Sequence, residues 1–222
     1  MSNRLDHLVI AAASLEQGVA WCEATLGVTP GPGGVHATMG THNRLLRIAD
    51  DAFPDAYLEI IAIDPAAPAP GRPRWFGLDD AALHDRLAQH PRLVAAVVRT
   101  PLIEMHRWGL INVGIHPGEP IAFERASPAG PLAWRLLVRD DGARLCGGAL
   151  PVLIEWKGER HPAAAMAPSG LELRSLRLAG LPKRAQDVLK LRGIEVVNDT
   201  DGPALSATFA TPRGEVKLSS ED

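Results

Sequence analysis

Two residues stand where a plain core strand would not place them. Leu5-Asp6-His7-Leu8-Val9-Ile10 and Tyr57-Leu58-Glu59-Ile60-Ile61-Ala62-Ile63 are short, β-branched apolar runs, and each carries a group able to do chemistry, His7 and Glu59. Such runs form buried strands. A third run, Leu153-Ile154-Glu155-Trp156, again sets a glutamate inside apolar sequence. A carboxylate buried without a partner costs on the order of several kcal/mol. Glu59 and Glu155 therefore need a metal ion or an arginine, with Arg44, Arg99 and Arg135 as the candidates. An imidazole beside carboxylates suits a divalent Zn, Mn, Fe, Ni or Co ion. That ion would polarise a carbonyl or stabilise an enediolate. Glu59 or Glu155, freed from it, would act as catalytic base, its pKa lifted by burial. The bland alternative for His7 is a hydrogen-bonded core histidine.

Further candidates flank these runs. His42-Asn43-Arg44 lies on an expected strand, with His42 as a fourth ligand or a substrate contact against the reading of an ordinary exposed residue. His36 is a weaker case of the same kind. Arg74-Trp75-Phe76 would stack an apolar substrate and pair with an anion, or else staple two parts of the fold together. Trp134-Arg135 and Trp156 carry the same pair of readings, and His161 follows a charged turn in an expected loop. Gly31-Pro32-Gly33-Gly34 fails the dinucleotide spacing, and the chain has no nucleophile elbow, phosphate loop or Cys-x-x-Cys pair.

The elements that must position these residues repeat. The first strand is followed by Ser14-Leu15-Glu16-Gln17, a capping box, and a helix to Leu26 with Leu15, Val19, Cys22 and Leu26 as its buried stripe. Strands are expected at 35–38, 41–48 and 57–63. Asp79 or Asp80 caps a short helix to about Gln89. Then come a strand over 93–99, a helix from Thr100-Pro101 to about Trp108-Gly109, and strands near 121–125, 134–139 and 152–156. A third round has a strand over 171–178, a helix from Pro182 to about Arg192, and strands over 195–198, 204–210 and 215–218. The expectation is one domain of three βαβββ modules, 1–64, 93–157 and a degenerate 158–222, with an aromatic connector and helix over 65–92.

Composition limits the partners. The 222 residues carry a formal charge of -3 with no long basic run, which argues against nucleic acid. No apolar run is long enough to span a bilayer, and the N-terminus enters a strand without a signal-peptide segment. The two cysteines, Cys22 and Cys146, are expected to stay reduced in a cytoplasm.

These residues carry a family resemblance. Leu5 to Ile10, the Ser14 helix start, Leu26-Gly27-Val28, Gly40 to Leu46, Tyr57 to Ile61, Arg72 to Leu78, Val97 to Thr100 and Leu150 to Trp156 resemble the glyoxalase-like branch of the vicinal oxygen chelate superfamily. The resemblance implies an α+β fold in which paired βαβββ modules form curved mixed β-sheets around a cleft, with helices packed outside. It implies a divalent metal in that cleft, bound from first and last strands. His7, Glu59 and Glu155 match such positions, whereas Leu93-Val94-Ala95-Ala96-Val97-Val98 offers no ligand. The implied activity is that of a lyase, isomerase or dioxygenase on a small oxygen-rich molecule. The alternative is a metal-free protein of the same fold that sequesters a small hydrophobic ligand between Trp75, Phe76, Trp134 and Trp156. An odd module count leaves a sheet edge for a homodimer to cover.

Overall fold

The computed structural model describes residues 3–127 and 130–221. Met1, Ser2 and Asp222, at the ends of the first and last expected modules, and Pro128 and Ala129 inside the second lie outside the described residues. The first 63 residues give β1 (Asn3–Ala11), α1 (Leu15–Thr25), β2 (Val35–His36), β3 (Thr41–Arg47) and β4 (Tyr57–Ile63). After the connecting helix α2 (Ala81–Leu87), the same order returns as β5 (Arg92–Arg99), α3 (Ile103–Asn112), β6 (Glu119–Arg125), β7 (Leu132–Val138) and β8 (Val152–Trp156). The strands lie in the order β2-β3-β4-β1-β5-β8-β7-β6. The two units meet at the antiparallel pair β1–β5, and each closes its first strand on its last in parallel, β1 on β4 and β5 on β8. The result is an α+β fold with a curved, nearly closed mixed sheet.

The remaining chain forms β9 (Glu172–Ala179), α4 (Lys183–Leu189), β10 (Leu191–Arg192), β11 (Glu195–Val197), β12 (Leu205–Thr211) and β13 (Gly214–Ser219). Four of these strands make a separate sheet, β11-β9-β12-β13, while β10 pairs in parallel with the start of β1. Among the described residues no helix is long and apolar enough to cross a membrane.

Period-two alternation sorts the sheet into two faces. Leu8, Ile10, Leu58, Ile60, Ala96 and Val98 pack outward with Cys22 of α1 and Leu26 at its C-terminal cap, Ile103 and Leu110 of α3, and Phe209 of the second sheet. Val9, Ala11, Ile61, Val97, Leu136 and Ile154 point inward with Trp75, Phe76 and Trp134. Helix α1 starts as its sequence dictates, with the Ser14 hydroxyl accepting from the Gln17 N–H. It lies close on β4 because Gly18 has no side chain; a Cβ there would sit 2.4 Å from the Ile60 Cγ2.

Two helix boundaries differ from the sequence pattern. The Thr100 N–H still donates to the Ile154 carbonyl, so the backbone remains strand-like and α3 begins at Ile103 and runs on to Asn112. Helix α4 stops at Leu189 because Lys190 turns left-handed, with φ 47°, and sends Leu191–Arg192 onto β1.

Candidate active site

A β-bulge builds the centre of the site. Pairing between β1 and β5 runs Leu5 with Val98 and then His7 with Val97, so Asp6 and His7 together oppose one residue. A bulge shifts side-chain parity by one. Leu5 and Leu8 thereby both reach the outer core, and Asp6 stays beside His7 instead of pointing away from it. Asp6 is fully buried. Its Oδ1 accepts from His7 Nδ1 at 2.8 Å. Its Oδ2 accepts from Trp156 Nε1 at 2.8 Å and from His161 Nε2 at 3.0 Å. The Ala163 N–H donates to His161 Nδ1, which leaves the ring proton on Nε2 to face Asp6.

The other edge of His7 faces Glu59. Its Nε2 lies 3.5 Å from Glu59 Oε2, and its ring stacks on Tyr57 with centroids 4.6 Å apart. Glu59 Oε1 accepts from Asn43 Nδ2 at 2.5 Å, and the Gly34 N–H fixes that amide by donating to Asn43 Oδ1 at 2.7 Å. The loop reaches this position only because Gly33 lacks a side chain; a Cβ there would lie 2.0 Å from the Asn43 carbonyl oxygen. His36 completes the group, its Nε2 4.0 Å from Glu59 Oε1 and its Nδ1 3.1 Å from the Thr41 hydroxyl.

Charge within this group is balanced. Burial alone would lower the His7 pKa, but the flanking carboxylates of Asp6 and Glu59 outweigh it and raise the group to about 9. Burial likewise favours protonating Glu59, yet His7, His36 and Asn43 hold it down at about 2. Asp6 is held far below the usual carboxylate range against its burial by His161 and His7. Burial pushes His36 down to about 4, so that ring is neutral at pH 7. At neutral pH the centre is an imidazolium between two carboxylates, with a neutral histidine alongside.

The group opens into a narrow cleft lined by His7, His36, Asn43, Tyr57, Glu59, Trp75, Phe76, Arg125, Trp134 and Trp156. The structure thus brings together His7, Glu59, Asn43, Trp75, Phe76, Trp134 and Trp156 from the residues singled out in the sequence. It does not bring the others. Glu155 is on the opposite face of β8, where its Oε1 accepts from the Ile103 N–H and its Oε2 is held by Arg135. Arg135 is its cross-strand neighbour and is turned the same way. His42 sits between the inward Thr41 and Asn43 on β3, and its Nε2 has no hydrogen-bond partner among the described residues. Arg74 is paired with Asp79 at 2.6 Å. Sequence reasoning missed Asp6, His161, Tyr57 and Arg125, and it undervalued His36.

A divalent ion needs converging donors. The pairing registers make Val97 the counterpart of His7 and Ile154 the counterpart of Glu59, so the second unit offers none. Both nitrogens of His7 already face carboxylates, and its protons balance their charge. Among the described residues no three His, Cys, Asp or Glu side chains are grouped so as to hold an ion. The arrangement of these residues does not fit the metal that the resemblance implies.

Comparison with known proteins agrees with the fold. The glyoxalase-like domain family matches residues 5–192. The chain therefore belongs to that family, within the vicinal oxygen chelate superfamily. A hypothetical protein from Staphylococcus aureus aligns over 98% of this chain and 86% of its own, at 15% identity and TM-score 0.58. A single-residue variant of Streptomyces coelicolor methylmalonyl-CoA epimerase, in complex with 2-nitronate-propionyl-CoA, aligns over 71% of this chain and 100% of its own, at 20% identity and TM-score 0.42. The Mycobacterium tuberculosis methylmalonyl-CoA epimerase aligns over 72% and 91%, at 18% identity and TM-score 0.39. No curated protein matches the sequence closely enough to count as a relative.

Proposed function

We propose that the protein is a glyoxalase-like enzyme of the isomerase or lyase type, moving a proton on a small oxygen-bearing molecule. The observation that carries this reading is the buried Asp6–His7–Glu59 chain that ends on the cleft. Perturbed titratable groups lining a cavity mark working sites. Asn43 ties down Glu59 Oε1, which leaves Oε2 as the oxygen able to take a substrate proton. His7 Nε2 is 3.5 Å from that oxygen, a separation too long for a firm hydrogen bond. Its N–H, held in a fixed direction, is open to a substrate oxygen on which negative charge develops. Asp6 fixes the ring and keeps it protonated.

A second reading, a metal-free binding protein, is favoured by one observation: the second unit presents only apolar and aromatic groups to the cleft from β7 and β8. Proton exchange separates the two. The protein is incubated in D2O with phenylpyruvate, hydroxyacetone and the methylglyoxal–thiol hemithioacetal, and α-proton loss is followed by NMR. The enzyme reading expects exchange faster than buffer on at least one compound, abolished in Glu59→Gln. Ligand-induced tryptophan quenching with no exchange on any would leave the binding protein. Metal analysis of the purified protein accompanies the assay; a stoichiometric ion lost in both His7→Ala and Glu59→Ala would restore the metal-dependent form.

A further inference from the structure

The cleft contains a cation with nothing to hold among the described residues. Arg125, the last residue of β6, lines the same cavity as His7 and Glu59. Arg72, Arg74, Arg99, Arg107, Arg135 and Arg139 each hold a carboxylate. Arg125 has no ion-pair partner among the described residues. Its guanidinium lies over the glycine loop that positions Asn43, so close that a Cβ on Gly34 would be 2.5 Å from Nη1. That loop leaves no side chain to cover it. Trp75 is 4% exposed, lines the same cavity, and its indole N–H has no hydrogen-bond partner among the described residues. A buried donor without an acceptor is costly, so a site that keeps one is built to be completed by a ligand oxygen. Beside these groups runs a row of aromatic rings tilted to one another. Trp75, Phe123 and Trp134 follow one another with centroids 5.0 and 5.8 Å apart, and Trp156 continues the row at 5.4 Å.

The geometry points to a small planar carboxylate as the ligand class of this cleft, its anion on the Arg125 guanidinium and its flat body against Trp75, Trp134 and Trp156. A guanidinium takes a carboxylate through two parallel N–H···O bonds, which a neutral amide cannot match. Aromatic walls add stacking for a ring or conjugated chain. The ligand's other end then reaches Glu59 Oε2 and His7 Nε2. This deepens the reading above by naming the substrate class of the same site, and an aryl 2-oxo acid has both the anion and an acidic C–H.

Binding tests it independently of turnover. Tryptophan fluorescence is titrated with benzoate and phenylacetate and with their neutral amides. Wild type is expected to bind the carboxylates about tenfold or more tightly than the amides. Arg125→Gln is expected to lose that preference while still binding the amides, which shows that the cleft is intact. Arg125→Lys is expected to keep part of it. Equal affinity for acid and amide, a preference surviving in Arg125→Gln, or no binding of either class would overturn the assignment. Carboxylate-selective binding without proton exchange on any of the three compounds above would sink the acid–base reading and leave the ligand class standing.

Discussion

The two βαβββ units are the same in strand order and pairing, yet they present opposite chemistry to the cleft. The first offers His7, His36, Asn43 and Glu59. The second offers the aromatic and apolar Trp134, Leu136, Ile154 and Trp156 together with the cation Arg125, and its Val97 stands opposite His7 itself. Each unit contains a glutamate in its last strand, but Glu59 faces inward and Glu155 faces α3. A one-residue difference in position along a strand moves a side chain to the other face of the sheet. One unit has become the acid–base half of a site and the other its aromatic wall, with Arg125 at its edge, without any change in fold.

The sharpest test of this asymmetry removes the charge that balances the acid–base half. His7→Ala leaves Asp6 and Glu59 buried without their shared cation. Breaking a buried ion pair by deleting one partner costs about 3–5 kcal/mol. We expect a loss of that size in denaturant unfolding, together with loss of proton exchange. A loss below about 1 kcal/mol would mean that the two carboxylates have other compensation and that the units differ less than their residues suggest.

The pH dependence should carry the same asymmetry. The His7 pKa rises from 6.5 to about 9 on folding. Its contribution is complete below 6.5 and fades as pH climbs through 9. The Glu59 pKa falls from 4.5 to about 2, so its contribution holds above 4.5 and fades as pH drops toward 2. His36 falls from 6.5 to about 4 because it is buried, and its neutral form is favoured above 6.5 and lost as pH drops through 4. Stability should therefore peak near pH 6.5. Thermal unfolding across pH is expected to show His7→Gln flattening the alkaline limb and His36→Gln softening the acid limb. An unchanged alkaline limb in His7→Gln would contradict the imidazolium.

A smaller effect is expected at the loop. Gly33→Ala forces a methyl group into the Asn43 carbonyl, and overpacking of this kind costs about 1–3 kcal/mol. Because Asn43 orients Glu59, proton exchange should fall more than stability does. Gly71→Ala, with open space around it, should do neither.

Much of this was legible in the sequence. Apolar runs and the Ser14 cap located the strands and first helix, and two of the three polar anomalies, His7 and Glu59, meet in one cleft, whereas Glu155 does not reach it. What the sequence concealed was parity. His42 and Asn43, Trp134 and Arg135, and Glu155 and Trp156 are neighbours on strands, and alternation allows only one of each pair to face the cleft. The inward member is Asn43, Trp134 and Trp156 in turn. Asp6 escaped notice for the opposite reason: alternation would turn it away from His7, and only the bulge against Val97 keeps the two together. Arg125 and His161 come to the site through pairing and packing across long stretches of chain, which no local pattern encodes.

Parity also yields the mildest prediction, and it reads on the comparison directly. Glu155 and Arg135 form a cross-strand pair on the outer face, their side chains 20% and 39% exposed. Ion pairs this open to solvent are worth about 0–1 kcal/mol. Glu155→Gln should thus cost no more than about 1 kcal/mol in unfolding and leave proton exchange and carboxylate binding at wild-type values, whereas Glu59→Gln abolishes exchange. The outcome to watch for is parallel behaviour. If Glu155→Gln lost exchange to the same degree as Glu59→Gln, the second unit would be supplying a carboxylate to the chemistry after all, and the division into acid–base half and aromatic wall would fail.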